Sequence, residues 1–125
     1  EHGSLTAANV LSQNGSLPVR AVTMDGLQAR GELPTPIHLI KVDAQGAEMA
    51  ILRGATELIR TQRPMWFLEL WPQGLAEAGT SASDVIRTLV TAGYALVNHS
   101  SWEQVARDCA RTTGHASLDI LVKAA

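Results

Sequence analysis

At 125 residues the chain holds one domain at most, and 46% hydrophobic residues are enough to fill a core. Twelve acids against ten bases leave a net charge of −2, which gives no electrostatic case for nucleic acid or an anionic membrane. The single cysteine, Cys109, excludes an internal disulfide and a cysteine-based zinc cluster, and no apolar run reaches the roughly eighteen residues of a membrane span.

Residues 1–18 read as a loop-rich lead-in, with one helical turn near Thr6–Ser12 and a turn signal at Asn14-Gly15. VRAVTMD, residues 19–25, reads as a strand closed by Asp25-Gly26. Pro34 and Pro36 end the connection that follows. IHLIKVD, residues 37–43, is a short apolar run rich in Ile and Val, the pattern of a strand buried on both faces.

A helix is expected from about Ala47, with its apolar stripe on Ile51, Leu52, Ala55, Leu58 and Ile59 and its stop at Pro64. Gly54 inside that helix costs about 1 kcal/mol relative to alanine, and a close contact with the sheet would be a reason to keep it. MWFLELW, residues 65–71, is a second buried strand, and Pro72–Thr80 a loop. Ser81 and Asp84, with Ser83 as the alternative cap, open a helix with apolar residues Val85, Ile86, Leu89 and Val90, and Gly93 stands where a left-handed cap belongs. YALVN, residues 94–98, is a strand, Ser100-Ser101-Trp102-Glu103 starts a helix to about Arg111, Thr112–His115 is a turn, and SLDILVKA is the last strand.

Strands alternate with helices, so the expected fold is α/β with a mostly parallel sheet and flanking helices. In such a sheet ligands bind at the carboxyl ends of the strands. Asp43 and Glu48 lie at the junction between the central strand and its helix. Asp43 either acts on a ligand or caps the helix. Glu48, in the first turn, favours the helix dipole, which is a structural role. Glu69 is a lone charge in an apolar strand, and a partner such as Lys41 on the neighbouring strand would satisfy both. Trp66, Trp71 and Trp102 fit core packing or an acceptor pocket. His38 reads as a satisfied core group and His115 as a surface turn residue. No histidine spacing supports a metal site.

The run KVDAQGAEMAILRGA followed by RPMWFLEL resembles the FkbM-type methyltransferases. The matching residues are Lys41, Asp43, Gly46, Glu48, Leu52, Gly54 and Ala55, then Pro64 and Glu69. VTMDGL, residues 22–27, is similar to a short segment that precedes this motif in the family. The resemblance covers roughly residues 19–98, and residues 99–125 match only as a final helix and strand. One position departs: Gln45 stands where the family usually has glutamate, keeping the hydrogen bonding and losing the charge.

The resemblance implies a Rossmann-like fold, the C-terminal part of a class I methyltransferase domain, with S-adenosylmethionine as methyl donor. None of the ten glycines is in G-x-G spacing, so the cofactor-binding residues are not identified. The chain begins Glu1-His2-Gly3 without an initiator Met and reads as part of something longer. The implied function is O-methylation of a hydroxyl on a sugar, glycan or polyketide-like metabolite. The residues assigned to catalysis are Asp43, Glu48 and Glu69, and those assigned to the substrate are Lys41, Gln45 and Trp71. The expected setting is cytoplasmic, with a small-molecule or glycan acceptor and neither metal, nucleic acid nor membrane. The alternative is a non-catalytic α/β binding module that self-associates through an exposed sheet edge.

Overall fold

A computed structural model describes residues 11–12 and 15–125. A short antiparallel ribbon joins β1 (Leu11–Ser12) to β2 (Gly15–Ser16). The helical turn expected near residues 6–12 lies outside the described residues except for Leu11 and Ser12, which are strand. The Asn14 half of the Asn14-Gly15 signal also lies outside them.

The expected strand at 19–25 is replaced by α1 (Met24–Ala29). Thr23 caps this helix, its Oγ1 accepting from the Gly26 amide at 2.9 Å. Local capping chemistry overrides the β-branched run before it. Asp25 then has a second task. Its two carboxylate oxygens accept from the amides of Glu57 and Leu58, at 2.9 and 2.8 Å.

Those amides open α3 (Thr56–Gln62), because the expected long helix is two helices. α2 (Glu48–Arg53) stops at Gly54, whose carbonyl accepts from the Asp25 amide at 2.8 Å. A Cβ on Gly54 would lie 3.0 Å from Thr23 Cβ and Cγ2. The close approach that favours glycine is thus to the Thr23–Asp25 segment rather than to the sheet. Asp25→Ala should cost about 1–2 kcal/mol, the usual worth of a helix cap. The urea midpoint measures it, and Asp25→Asn should retain part of the stability.

The main sheet has four strands in the order β3-β4-β6-β5. β3 (Leu39–Val42) and β4 (Met65–Leu70) are parallel, with Lys41 opposite Phe67. β6 (Leu118–Ala124) runs antiparallel to both β4 and β5 (Tyr94–Leu96). The sheet is therefore mixed, which corrects the expectation of a mostly parallel one. The reason lies in the last helix, α6 (Trp102–Arg111). After β5 the chain stays alongside β6, where Asn98 Nδ2 donates to the Asp119 carbonyl at 3.1 Å. Residues 112–117 then return to the same end of the sheet. The last βαβ segment begins and ends at one end, so it makes no crossover.

The remaining helices are α4 (Pro72–Glu77) and α5 (Ala82–Thr91). α4 occupies the expected loop, with Pro72 in its first turn, where the missing amide costs nothing. α5 and α6 start as expected, on the hydroxyls of Ser81 and Ser101, each 3.0 Å from the amide three residues on. Gly93 has φ +85, as a left-handed cap requires.

Burial along β4 alternates, with Trp66, Leu68 and Leu70 buried and Met65, Phe67 and Glu69 partly exposed. The buried face continues through Val42, Ile120 and Val122 and meets Leu52, Leu58, Leu75, Val85, Leu89 and Val105 of the helices. β3 lies at a sheet edge, and Leu39 is 56% exposed. The reading of two-face burial for residues 37–43 is therefore corrected: one face of this sheet carries the core. His38, expected in the core, is exposed.

Trp66 Nε1 donates to Tyr94 Oη at 3.3 Å, and that hydroxyl donates to the Pro64 carbonyl at 2.6 Å. Burial raises the Tyr94 phenol pKa, with the Trp66 bond and the Arg63 charge opposing. Burial, then the Asp108 charge, raises the Cys109 thiol. Both groups titrate higher when folded than when unfolded. Their stabilising contribution is fully present below the unfolded values, about 8.5 for a thiol and 10 for a phenol, and is lost as pH rises through the folded ones. The urea midpoint should fall above about pH 9, and Cys109→Ala should remove the earlier part of that fall.

Candidate functional site

The parallel pair β3 and β4 ends on one side of the sheet with Asp43 and Glu69-Leu70-Trp71. Between them lies a cleft of about 110 Å³ lined by Asp43, Gln45, Glu69, Trp71, His115 and Ser117. Four of the six residues assigned to the site from sequence are therefore together. Each is brought there by a strand end, where the backbone stops pairing and side chains can face a ligand.

Asp43 is exposed, and α2 has Ala47 at its N-cap with no side-chain cap. The helix-capping alternative for Asp43 is thereby corrected. Glu48 does the local bonding instead. It is fully buried, and its carboxylate accepts from the Gly46 amide at 3.0 Å and the Ala44 amide at 3.2 Å. Folded back onto its own turn, Glu48 does not line the cleft. Its contacts are those of a residue that fixes the turn carrying Asp43 and Gln45.

That turn is held tightly. Gln45 has φ +52 and Gly46 φ +107, and the Gly46 Cα faces the backbone of Gly74 in α4. Non-glycine residues in such conformations persist where the surroundings over-determine them, which is frequent at functional sites. Gly74 in turn lies against the Trp71 ring, where any side chain would collide with the indole.

Glu69 takes its hydrogen bond from Ser117 Oγ at 2.9 Å. The proposed pairing with Lys41 is corrected: Lys41 is exposed, opposite Phe67 in register, and outside the cleft lining. Trp71 Nε1 donates to the Gly114 carbonyl at 2.6 Å, and its ring stacks on His115 with centroids 5.6 Å apart. Thus Trp71 belongs to the cleft wall, whereas Trp66 is core.

His115, exposed in a turn as expected, and Ser117 also line the cleft, although neither was assigned to the site from the sequence. They enter because β6 is antiparallel. Its first residues pair with the last of β4, Leu118 with Leu70 and Asp119 with Glu69. A parallel last strand would have placed them at the opposite end. The signal available was the Gly114-His115 turn immediately before the last strand, which mattered only once the strand direction was known.

Beside the cleft, sharing Gln45, runs a groove of about 590 Å³ between α2 and α4. Its floor is made of small residues such as Ala47, Ala50 and Gly74, and Arg53 and Glu77 stand on its walls. Among the described residues no cluster of three or more His, Cys, Asp or Glu could hold a metal ion, and no helix is long and apolar enough to cross a membrane.

A family model described as the methyltransferase FkbM domain matches residues 1–96. No curated protein and no solved structure matches the chain.

Proposed function

The chain belongs to the FkbM methyltransferase domain family, and from that premise we propose that its cleft binds a hydroxyl acceptor for O-methylation by a sulfonium donor, S-adenosylmethionine. The observation that carries this reading is the convergence of Asp43, Glu69 and Trp71 at the ends of adjacent strands.

The cleft residues fit one end of such a donor. Two carboxylates and an aromatic face favour a sulfonium cation, as they favour other cations. The adenosine part does not fit there, since the cleft's 110 Å³ is well below the roughly 300–1,000 Å³ of a pocket enclosing a drug-sized ligand. When bound, the donor supplies a methyl group activated by positive sulfur.

The residues of this chain serve the acceptor. Asp43 accepts a hydrogen bond from the reacting hydroxyl and turns its lone pair toward the methyl, so the gain is chiefly one of orientation. Gln45 offers an amide donor and acceptor to a neighbouring oxygen. Trp71 gives an apolar platform and excludes water from one side. Ser117 holds Glu69 in place, leaving its other oxygen for a second hydroxyl. A sugar, glycan or polyketide-like acceptor has hydroxyls on an apolar frame, which suits this mixture. The adjoining groove has room for the rest of it.

The test is transfer from a donor carrying a ¹³C methyl to a panel of such acceptors, with the product read by NMR. The reading expects an O-methyl ether. Methylation at nitrogen or carbon, or no transfer from a folded chain to any acceptor, would overturn it.

A non-catalytic reading rests on a different observation. Among the described residues, β3 has a neighbour on one side only, and Leu39 is exposed there. Association through that edge would appear as a dimer in light scattering, and a monodisperse monomer at high concentration would count against it.

A further inference from the structure

We propose that His115 is the proton acceptor of this site, a role that rests on the methyl-transfer reading above. The placement is specific. His115 lines the same cleft as Asp43 and Glu69, and its ring is stacked on Trp71. The bond from Trp71 Nε1 to the Gly114 carbonyl anchors the residue immediately before it. Gly114, at φ +62, lets the chain turn there, and the exposed His115 stands at the mouth of the cleft.

The chemistry requires such a group. As the acceptor oxygen forms its bond to the methyl carbon, the carbon–sulfur bond breaks and its electron pair returns to sulfur. The hydroxyl proton must then leave, and it passes to an imidazole nitrogen of His115. Of the side-chain types lining the cleft, imidazole is the one whose ordinary titration lies near neutral pH, so it can take that proton and release it to water. The charged groups that line the cleft with it are Asp43, from the turn after β3, and Glu69, from β4, and Asp119 stands opposite Glu69 in the β4–β6 register. Asp43 then orients the hydroxyl, and His115 removes its proton. The loop carrying the acceptor lies beyond the matched residues 1–96, so this role does not come from the matched segment.

Two measurements test the assignment. In the transfer assay, His115→Gln should lower kcat about 10²–10⁴-fold with KM little changed, the usual worth of a general base. It should also remove the rise of kcat with pH, and added imidazole should restore part of the rate to His115→Ala. Transfer by the wild-type chain with His115→Gln equally fast would overturn the inference while leaving the methyl-transfer reading intact. Absence of transfer by the wild-type chain would overturn both.

The second measurement needs no substrate. In its NMR spectrum the wild-type His115 imidazole should carry the ring-current shift of the stacked indole, and Trp71→Leu should remove it. Imidazole resonances unchanged in Trp71→Leu would place His115 away from the cleft wall in solution and overturn the inference.

Discussion

Gly46→Ala should destabilise the fold by about 3–5 kcal/mol, a large share of the roughly 5–15 kcal/mol that holds a domain together. Two effects add. The backbone at φ +107 costs a residue with a side chain about 1–3 kcal/mol. The new Cβ would also lie 2.5 Å from the Gly74 carbonyl oxygen and 2.7 Å from its carbon. Those are backbone atoms of a helix and cannot swing aside, and overpacking of this kind costs about 1–3 kcal/mol or more. Gly79 provides the control. It has φ +82 but nothing within 4 Å of an added Cβ, so Gly79→Ala should show the conformational cost alone, about 1–2 kcal/mol. Urea unfolding of both variants separates the two effects. Equal losses would mean that the Gly46–Gly74 contact does not hold the turn.

Asp43→Asn should lower kcat/KM for methyl transfer by about 10²-fold while leaving stability within about 0.5 kcal/mol. Asparagine keeps the size of the side chain and loses the charge and one acceptor, so the acceptor hydroxyl is held less firmly. Stability is spared because Asp43 is exposed and does not cap α2. Glu48→Gln should behave in the opposite way. Its carboxylate accepts two turn amides in full burial, and a carboxamide accepts with one oxygen only. Its loss should appear in the unfolding midpoint first. If Asp43→Asn unfolds the chain and Glu48→Gln does not, the two roles have been exchanged.

Much of this arrangement is legible in the sequence, for local reasons. The two serine caps, Gly93 and the last strand are each specified by residues within one turn of where they act. The Asp43–Glu48 junction is legible because a strand, a turn and a helix follow in ten residues. What is not legible depends on distant partners. Asp25 looks like the end of a strand until the amides of Glu57 and Leu58 are seen beside it. Gly54 looks like a flaw in one helix until Thr23 is found against it. The direction of β6 cannot be read from alternation, because α6 has the pattern of a crossover helix and makes no crossover. That one reversal decides whether His115 and Ser117 belong to the cleft.

The most direct test of the site is an NMR titration of the wild-type chain with an acceptor that the transfer assay identifies, in the absence of donor. Shifts are expected at the amides of Gln45 and Gly46, at the Trp71 indole and at His115. The N-terminal ends of β3 and β4 should stay still. Shifts centred on the exposed edge of β3, with the cleft unmoved, would contradict this placement of the site.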